Sequence, residues 1–159
     1  MAFQILLNFV LALVWMFLSH SYNPTSFIVG FLLGMLILLS FRRFFNTRFY
    51  MIRVWAVIKL ILIFIKELIL SNIAVLKVIL KPKLDIKPGI FALETELKQP
   101  WEITTLANLI TLTPGTFVIE VSEDNKTLYV HAMDLNDDIQ SEIDGIKNTF
   151  EKAIMEVSR

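Results

Sequence analysis

Residues 1–41 contain no Asp, Glu, Lys or Arg, and His20 and Tyr22 are the only titratable side chains among them. An apolar slab penalises buried charge more than any other feature, so a stretch this long without one is predicted to lie in a membrane. The same feature limits mechanism. A segment without carboxylates or amines has no relay of its own for a proton or a sodium ion.

The run 3–18 is apolar apart from Gln4 and Asn8, and a second apolar run, 27–41, ends at Arg42-Arg43. Each core is shorter than the roughly 17–25 residues of a spanning helix, and the uncharged flanks bring each to about 18–20. Between them, Asn23 is placed to cap a helix and Pro24 to occupy its first position. The expectation is a transmembrane hairpin over 1–48. Its connecting turn lacks Lys and Arg, whereas Arg42, Arg43, Arg48 and Arg53 follow the second helix. The positive-inside bias then puts both ends of the hairpin in the cytoplasm. No basic residue precedes the first apolar core, which argues against a cleaved signal peptide. Ser26, Gly30 and Gly34 recur every fourth residue, a stripe of small side chains that lets another helix approach closely.

Residues 49–81 carry a stripe of basic side chains on an Ile-, Leu- and Val-rich background. At about 100° per residue, Lys59, Lys66, Lys77 and Lys81 share one side of a helix, with Arg53 and Glu67 further round it. That pattern describes an amphipathic helix lying in the membrane interface. The alternative is a third membrane helix, which would bury Lys59, Lys66 and Glu67 and carry Lys77, Lys81 and Lys83 outside, against the charge bias. Glu67 and Lys66 are the candidate ionisable groups at membrane level. Adjacent on a helix, their side chains are not expected to meet.

Residues 1–89 hold ten Lys/Arg against two acids, and residues 90–159 hold five against thirteen. The basic part fits an anionic lipid face. The acidic part fits a domain in water. Between them, 82–89 reads as a linker broken by Pro82, Pro88 and Gly89. In 90–159, Phe91, Leu93, Thr95 and Leu97 alternate with polar or small residues, as in a half-buried strand. Pro100 opens a helix whose inner face is Ile103, Leu106, Ala107 and Ile110. Phe117, Ile119 and Val121 form a second alternation, and Leu128, Val130 and Ala132 a third, as in a β-hairpin. Ile139, Ile143, Ile146, Phe150, Ile154 and Val157 mark a last helix, with Asp137 and Asp138 at its N-terminal end and Arg159 at its C-terminal end. The fold class is therefore a membrane protein with an N-terminal transmembrane hairpin, an interfacial helix and a small cytoplasmic α+β domain of order β-α-β-β-α.

No catalytic residue, cofactor-binding site or metal site is predicted. The chain has no Cys and two His. His131 with Asp134 lacks a nucleophile, and two separate histidines do not make a metal site. The Thr113-Pro114-Gly115-Thr116 turn follows a helix instead of preceding one, so the helix dipole has the wrong sign for phosphate. An acidic domain also repels nucleic acid.

One stretch is distinctive: Asn108-Leu109-Ile110-Thr111-Leu112-Thr113-Pro114-Gly115-Thr116. Followed by Val121-Ser122-Glu123-Asp124 and by Leu128-Tyr129-Val130-His131-Ala132-Met133-Asp134, and preceded by a hydrophobic pair and a Lys-bearing apolar segment, it closely resembles the E subunit of Mrp-type (Mnh-type) multi-subunit Na⁺/H⁺ antiporters. The resemblance covers essentially the whole chain. It implies an accessory, non-catalytic subunit of a bacterial plasma-membrane assembly with A, B, C, D, F and G partners, whose larger members carry ion translocation. A membrane-anchored module that recruits a cytoplasmic partner is the alternative from another class. For the signature itself, Pro114 stops the helix, Gly115 permits positive φ, and Thr111, Thr113 and Thr116 are able to satisfy nearby backbone groups. That describes a stiff helix-to-strand corner, a docking surface, or both; a contribution to the ion route is the further alternative.

Overall fold

The computed structural model describes residues 2–45, 49–83, 86–135 and 139–158. Arg48, Asp85, Asp137, Asp138 and Arg159, which enter the charge and capping expectations, lie outside them. The backbone divides into two compact units, Met1–Trp55 and Ala56–Arg159.

The first unit is a helical hairpin. Helix α1 spans Ala2–Leu18 and α2 spans Pro24–Ser40. His20 adopts φ 49°, and the amides of His20 and Ser21 bond back to the carbonyls of Phe17 and Met16, which closes α1. Asn23 Oδ1 then accepts the Ser26 amide at 2.7 Å, and Pro24 supplies the first turn of α2. Each helix has 17 residues, about 25 Å at 1.5 Å per residue, against a hydrocarbon core of about 30 Å. Among the described residues, no helix is long and apolar enough to cross a membrane. A short 3₁₀ turn, Arg42–Phe44, follows α2, and α3 starts at Tyr50 and runs to Ile79.

In the second unit, strands β1 (Gly89–Glu94), β2 (Thr116–Val121) and β3 (Thr127–Ala132) form an antiparallel sheet of order β1-β3-β2. Helix α4 (Pro100–Leu112) precedes β2, and the chain closes with α5 (Ile139–Ile146), a π-helical turn (Lys147–Glu151) and α6 (Lys152–Ser158). Fully buried Leu93, Leu106, Leu128, Val130 and Ile154 form the centre of the core, and Leu60, Ile63 and Phe64 of α3 pack against it. The fold is thus mixed, several helices with a three-stranded sheet among the described residues. On the other face of the sheet Ile90, His131 and Phe117 stand opposite one another across the three strands, and Ile90, Phe117, Ile119 and Tyr129 are exposed.

Three expectations need correction. Strand β2 does not alternate without interruption: the register shifts between Val118 and Glu120, so Ile119 is the extra residue of a bulge. Val118 and Val121 therefore pack inward while Phe117 and Ile119 face out. The last helix is not regular, because a π turn widens it where Phe150 and Glu151 both turn inward. Lys66 and Glu67 do meet, with Nζ 3.3 Å from Oε1. The flexible lysine stem bends round to its neighbour, and at this exposure the pair contributes little.

Candidate functional site

The signature residues build the turn from α4 into β2. The Ile110 carbonyl accepts both Thr113 Oγ1 (2.7 Å) and Thr116 Oγ1 (2.9 Å), and the two hydroxyls lie 3.2 Å apart. Thr111 Oγ1 donates to the Ala107 carbonyl at 2.8 Å and accepts the Val118 amide at 3.3 Å. Gly115 sits at φ 98°, in the left-handed region that a side chain disfavours, and its carbonyl accepts the Met133 amide at 2.7 Å. The helix end and the first strand residues are thus tied by side chains that would otherwise compete with secondary structure. Asn108 stands apart from this network, exposed on α4.

A cavity of about 520 Å³ opens beside the corner. Thr113, Pro114, Gly115 and Thr116 line one side, and α3 lines another with Glu67, Ser71, Ala74 and Val75. Asp134 just beyond β3, and Glu142 and Gly145 of α5, complete it. The second unit therefore brings Glu67 and the signature corner onto one cavity. Lys66 is outside the lining, two-thirds exposed and paired with Glu67.

The small-residue stripe belongs to the first unit. Gly30 and Gly34 are buried, with Ser26 partly so. A Cβ on Gly30 would stand 2.8 Å from Trp15 Cβ and 2.9 Å from the Ala12 carbonyl oxygen, too close for either to remain in place. At Gly34 it would collide with Asn8 Oδ1. The two glycines thus let α1 lie directly on α2.

In the sequence Gln4 and Asn8 stand only as blemishes in an apolar run. Both are buried, and both serve Tyr50. Gln4 Oε1 accepts the Tyr50 amide at 2.9 Å, one of the donors a helix N-terminus leaves unpaired. Asn8 Nδ2 donates to Tyr50 Oη at 2.8 Å. Among the described residues, Asn8 Oδ1 has no hydrogen-bond partner, and it occupies the space that a side chain at position 34 would need. Two amides four residues apart in an otherwise apolar helix are the available signal.

Two buried carboxylates also escape sequence reasoning. Glu102 Oε2 accepts the Lys98 and Gln99 amides, both at 2.9 Å, and so holds the start of α4. Glu151 Oε1 accepts Thr95 Oγ1 (2.9 Å) and the Glu96 amide (2.5 Å), fastening the π turn to the end of β1. The Gln99-to-Glu102 spacing hints at the first; nothing local announces the second. Lys59, one member of the basic stripe, pairs with Glu156 of α6 at 2.7 Å. His131 lies half-exposed beside the Phe117 ring, centroids 5.0 Å apart. Among the described residues, no three His, Asp or Glu are placed to hold a metal ion.

Comparison with known proteins bears on this arrangement directly. Residues 8–157 match the family described as Na⁺/H⁺ ion antiporter subunit (MNHE). The Na⁺/H⁺ antiporter E subunit of Bacillus subtilis (strain 168) is 57% identical over 159 residues, the whole of both chains. Its counterpart from Alkalihalophilus pseudofirmus is 50% identical, again over the whole of both. Among solved structures, a chain of the membrane-bound sulfane sulfur reductase, an archaeal respiratory membrane complex, is 32% identical with a TM-score of 0.55, covering 95% of this chain and 96% of that one. The chain belongs to the E-subunit family of Na⁺/H⁺ antiporters.

Proposed function

We propose that this chain is a non-catalytic, accessory subunit of a multi-subunit Na⁺/H⁺ antiporter, one that holds the assembly together and leaves ion translocation to its partners. Full-length identity to antiporter E subunits supports the assignment, and it favours a transporter component over a free-standing anchored module. The observation that carries the accessory role is the hairpin itself. Residues 1–41 hold no acid and no Lys or Arg, so they offer a crossing ion nothing to exchange with.

In this reading α1 and α2, extended by their uncharged flanks, span the plasma membrane, and residues 90–159 lie in the cytoplasm. Helix α3 lies in the interface. Supporting this, Leu60, Ile63 and Phe64 pack on the core while Ile58, Leu62, Ile65, Ile69 and Leu76, on the other side, are exposed. Lys66 and Lys77 lie between those faces, where headgroups would meet them. The signature corner serves as a rigid docking element, and the exposed Ile90, Phe117, Ile119 and Tyr129 offer a second apolar contact surface.

The test is Na⁺/H⁺ exchange in inverted membrane vesicles carrying the full operon, with and without this chain. Exchange should fall to background without it, along with recovery of the intact complex. Undiminished exchange by a correctly assembled complex lacking the chain would refute an essential role.

A further inference from the structure

Among the described residues, the cavity beside the signature corner is lined by carboxylates and no base: Glu67, Asp134 and Glu142 contribute to it, and no Lys, Arg or His does. We propose that this groove receives a Lys- or Arg-bearing cytoplasmic loop of a neighbouring membrane subunit, an inference that rests on the docking reading above. Three features favour that occupant. Much of the lining is apolar, with buried Phe91, Ile110, Ala132 and Phe150, which suits the aliphatic stem of a long basic side chain while its head stays near the carboxylates. Gly145 leaves its side of the groove vacant, since a Cβ there would meet nothing within 4 Å. Asp134 is already oriented, its Oδ1 accepting the Lys87 amide at 3.0 Å.

Charge complementarity supplies the rest. Residues 90–159 carry thirteen acids against five Lys/Arg. Integral membrane proteins concentrate Lys and Arg in their short cytoplasmic loops, so an acidic groove on a membrane-bound domain meets basic loops on any membrane neighbour. Lys66, paired with Glu67, is two-thirds exposed, so an incoming cation can displace it at small cost.

The experiment uses the whole complex, purified from membranes in mild detergent through a tag on another subunit. Gly145→Phe places a bulky side chain at the groove, at a position where a Cβ meets nothing within 4 Å, Glu142→Lys reverses its charge, and Glu123→Lys makes the same charge change in the β2–β3 loop as a control. A photo-crosslinking residue at Met133, which lines the groove, reports the occupant. Expected are at least a fivefold loss of this chain from the complex for Gly145→Phe and Glu142→Lys and wild-type recovery for Glu123→Lys. The adduct from position 133 should map to a basic cytoplasmic loop of another subunit. If Gly145→Phe dissociates the chain but Glu142→Lys does not, the groove docks something that is not basic; the inference falls and the docking reading stands. If neither variant lowers recovery, both fall. An adduct only on lipid or on a second copy of this chain also overturns the inference.

Discussion

Replacing Gly34 by Ala should damage the hairpin far more than one methyl group suggests. The new Cβ would occupy the position of Asn8 Oδ1, and Asn8 is fully buried. Either α1 backs away from α2 or Asn8 swings and abandons Tyr50 Oη, which it now holds at 2.8 Å. Overpacking of this kind costs about 1–3 kcal/mol, and a buried hydrogen bond broken on one side costs about 1–3 kcal/mol. The two outcomes are alternatives and not addends, so about 1–3 kcal/mol is expected. Asn8→Ala alone loses the bond and should cost about 1–3 kcal/mol. The double variant is the decisive one. Truncating Asn8 vacates the space that the Gly34→Ala methyl needs, so the double loss should match that of Asn8→Ala alone, a favourable coupling of about 1–3 kcal/mol. The assay is reversible unfolding of the full chain in mixed detergent micelles, followed by helical circular dichroism. A wild-type midpoint for Gly34→Ala, or a double variant as unstable as the two singles summed, would refute the assignment.

At the corner, Gly115→Ala should cost about 1–2 kcal/mol from its positive φ alone, because the added Cβ meets only Val75 Cγ2 at an ordinary 3.6 Å; a larger loss in thermal unfolding would point to a collision instead. Ile154→Ala removes a fully buried core side chain and should destabilise by about 2–5 kcal/mol, read from the same unfolding curves. The Ser122 hydroxyl, and after it the Lys126 amide, hold the Asp124 carboxyl below its ordinary value of 3.8. A depressed folded-state pKa gives a contribution that is complete above 3.8 and is lost as the pH falls through the lower folded value. Amide exchange at Lys126 and Thr127 should therefore quicken with a midpoint below 3.8, and a midpoint at or above it would contradict the loop geometry.

Where burial lies on one face, the sequence is readable. Strand β3 shows Leu128, Val130 and Ala132 inward as their alternation requires, and α4 begins at Pro100 with Ile103, Leu106 and Ile110 buried. Strand β2 defies the same reading because the bulge at Ile119 needs no unusual residue and so leaves no mark. The π turn is equally silent, since Ile146, Phe150 and Ile154 fit a four-residue step in either helix type. Of the candidate site, the threonines, Pro114 and Gly115 are legible because each has a local backbone reason for its type. The placement of Glu67, Asp134 and Glu142 around one cavity is not, because it depends on three segments meeting in space. Gln4 and Asn8 hide for the same reason: their partner is 46 and 42 residues away.

That separation has a temporal meaning. Residue 4 completes the first turn of a helix that begins at residue 50. At about 5–20 residues per second of synthesis, α1 exists for about 2–9 s before the amide its glutamine will accept has been made. Gly34, against which Asn8 packs, also reaches the ribosome exit before Tyr50 does. The hairpin can therefore close on Gly34 first and present both amides to the arriving tyrosine, so the two polar groups are in place before their common partner is made.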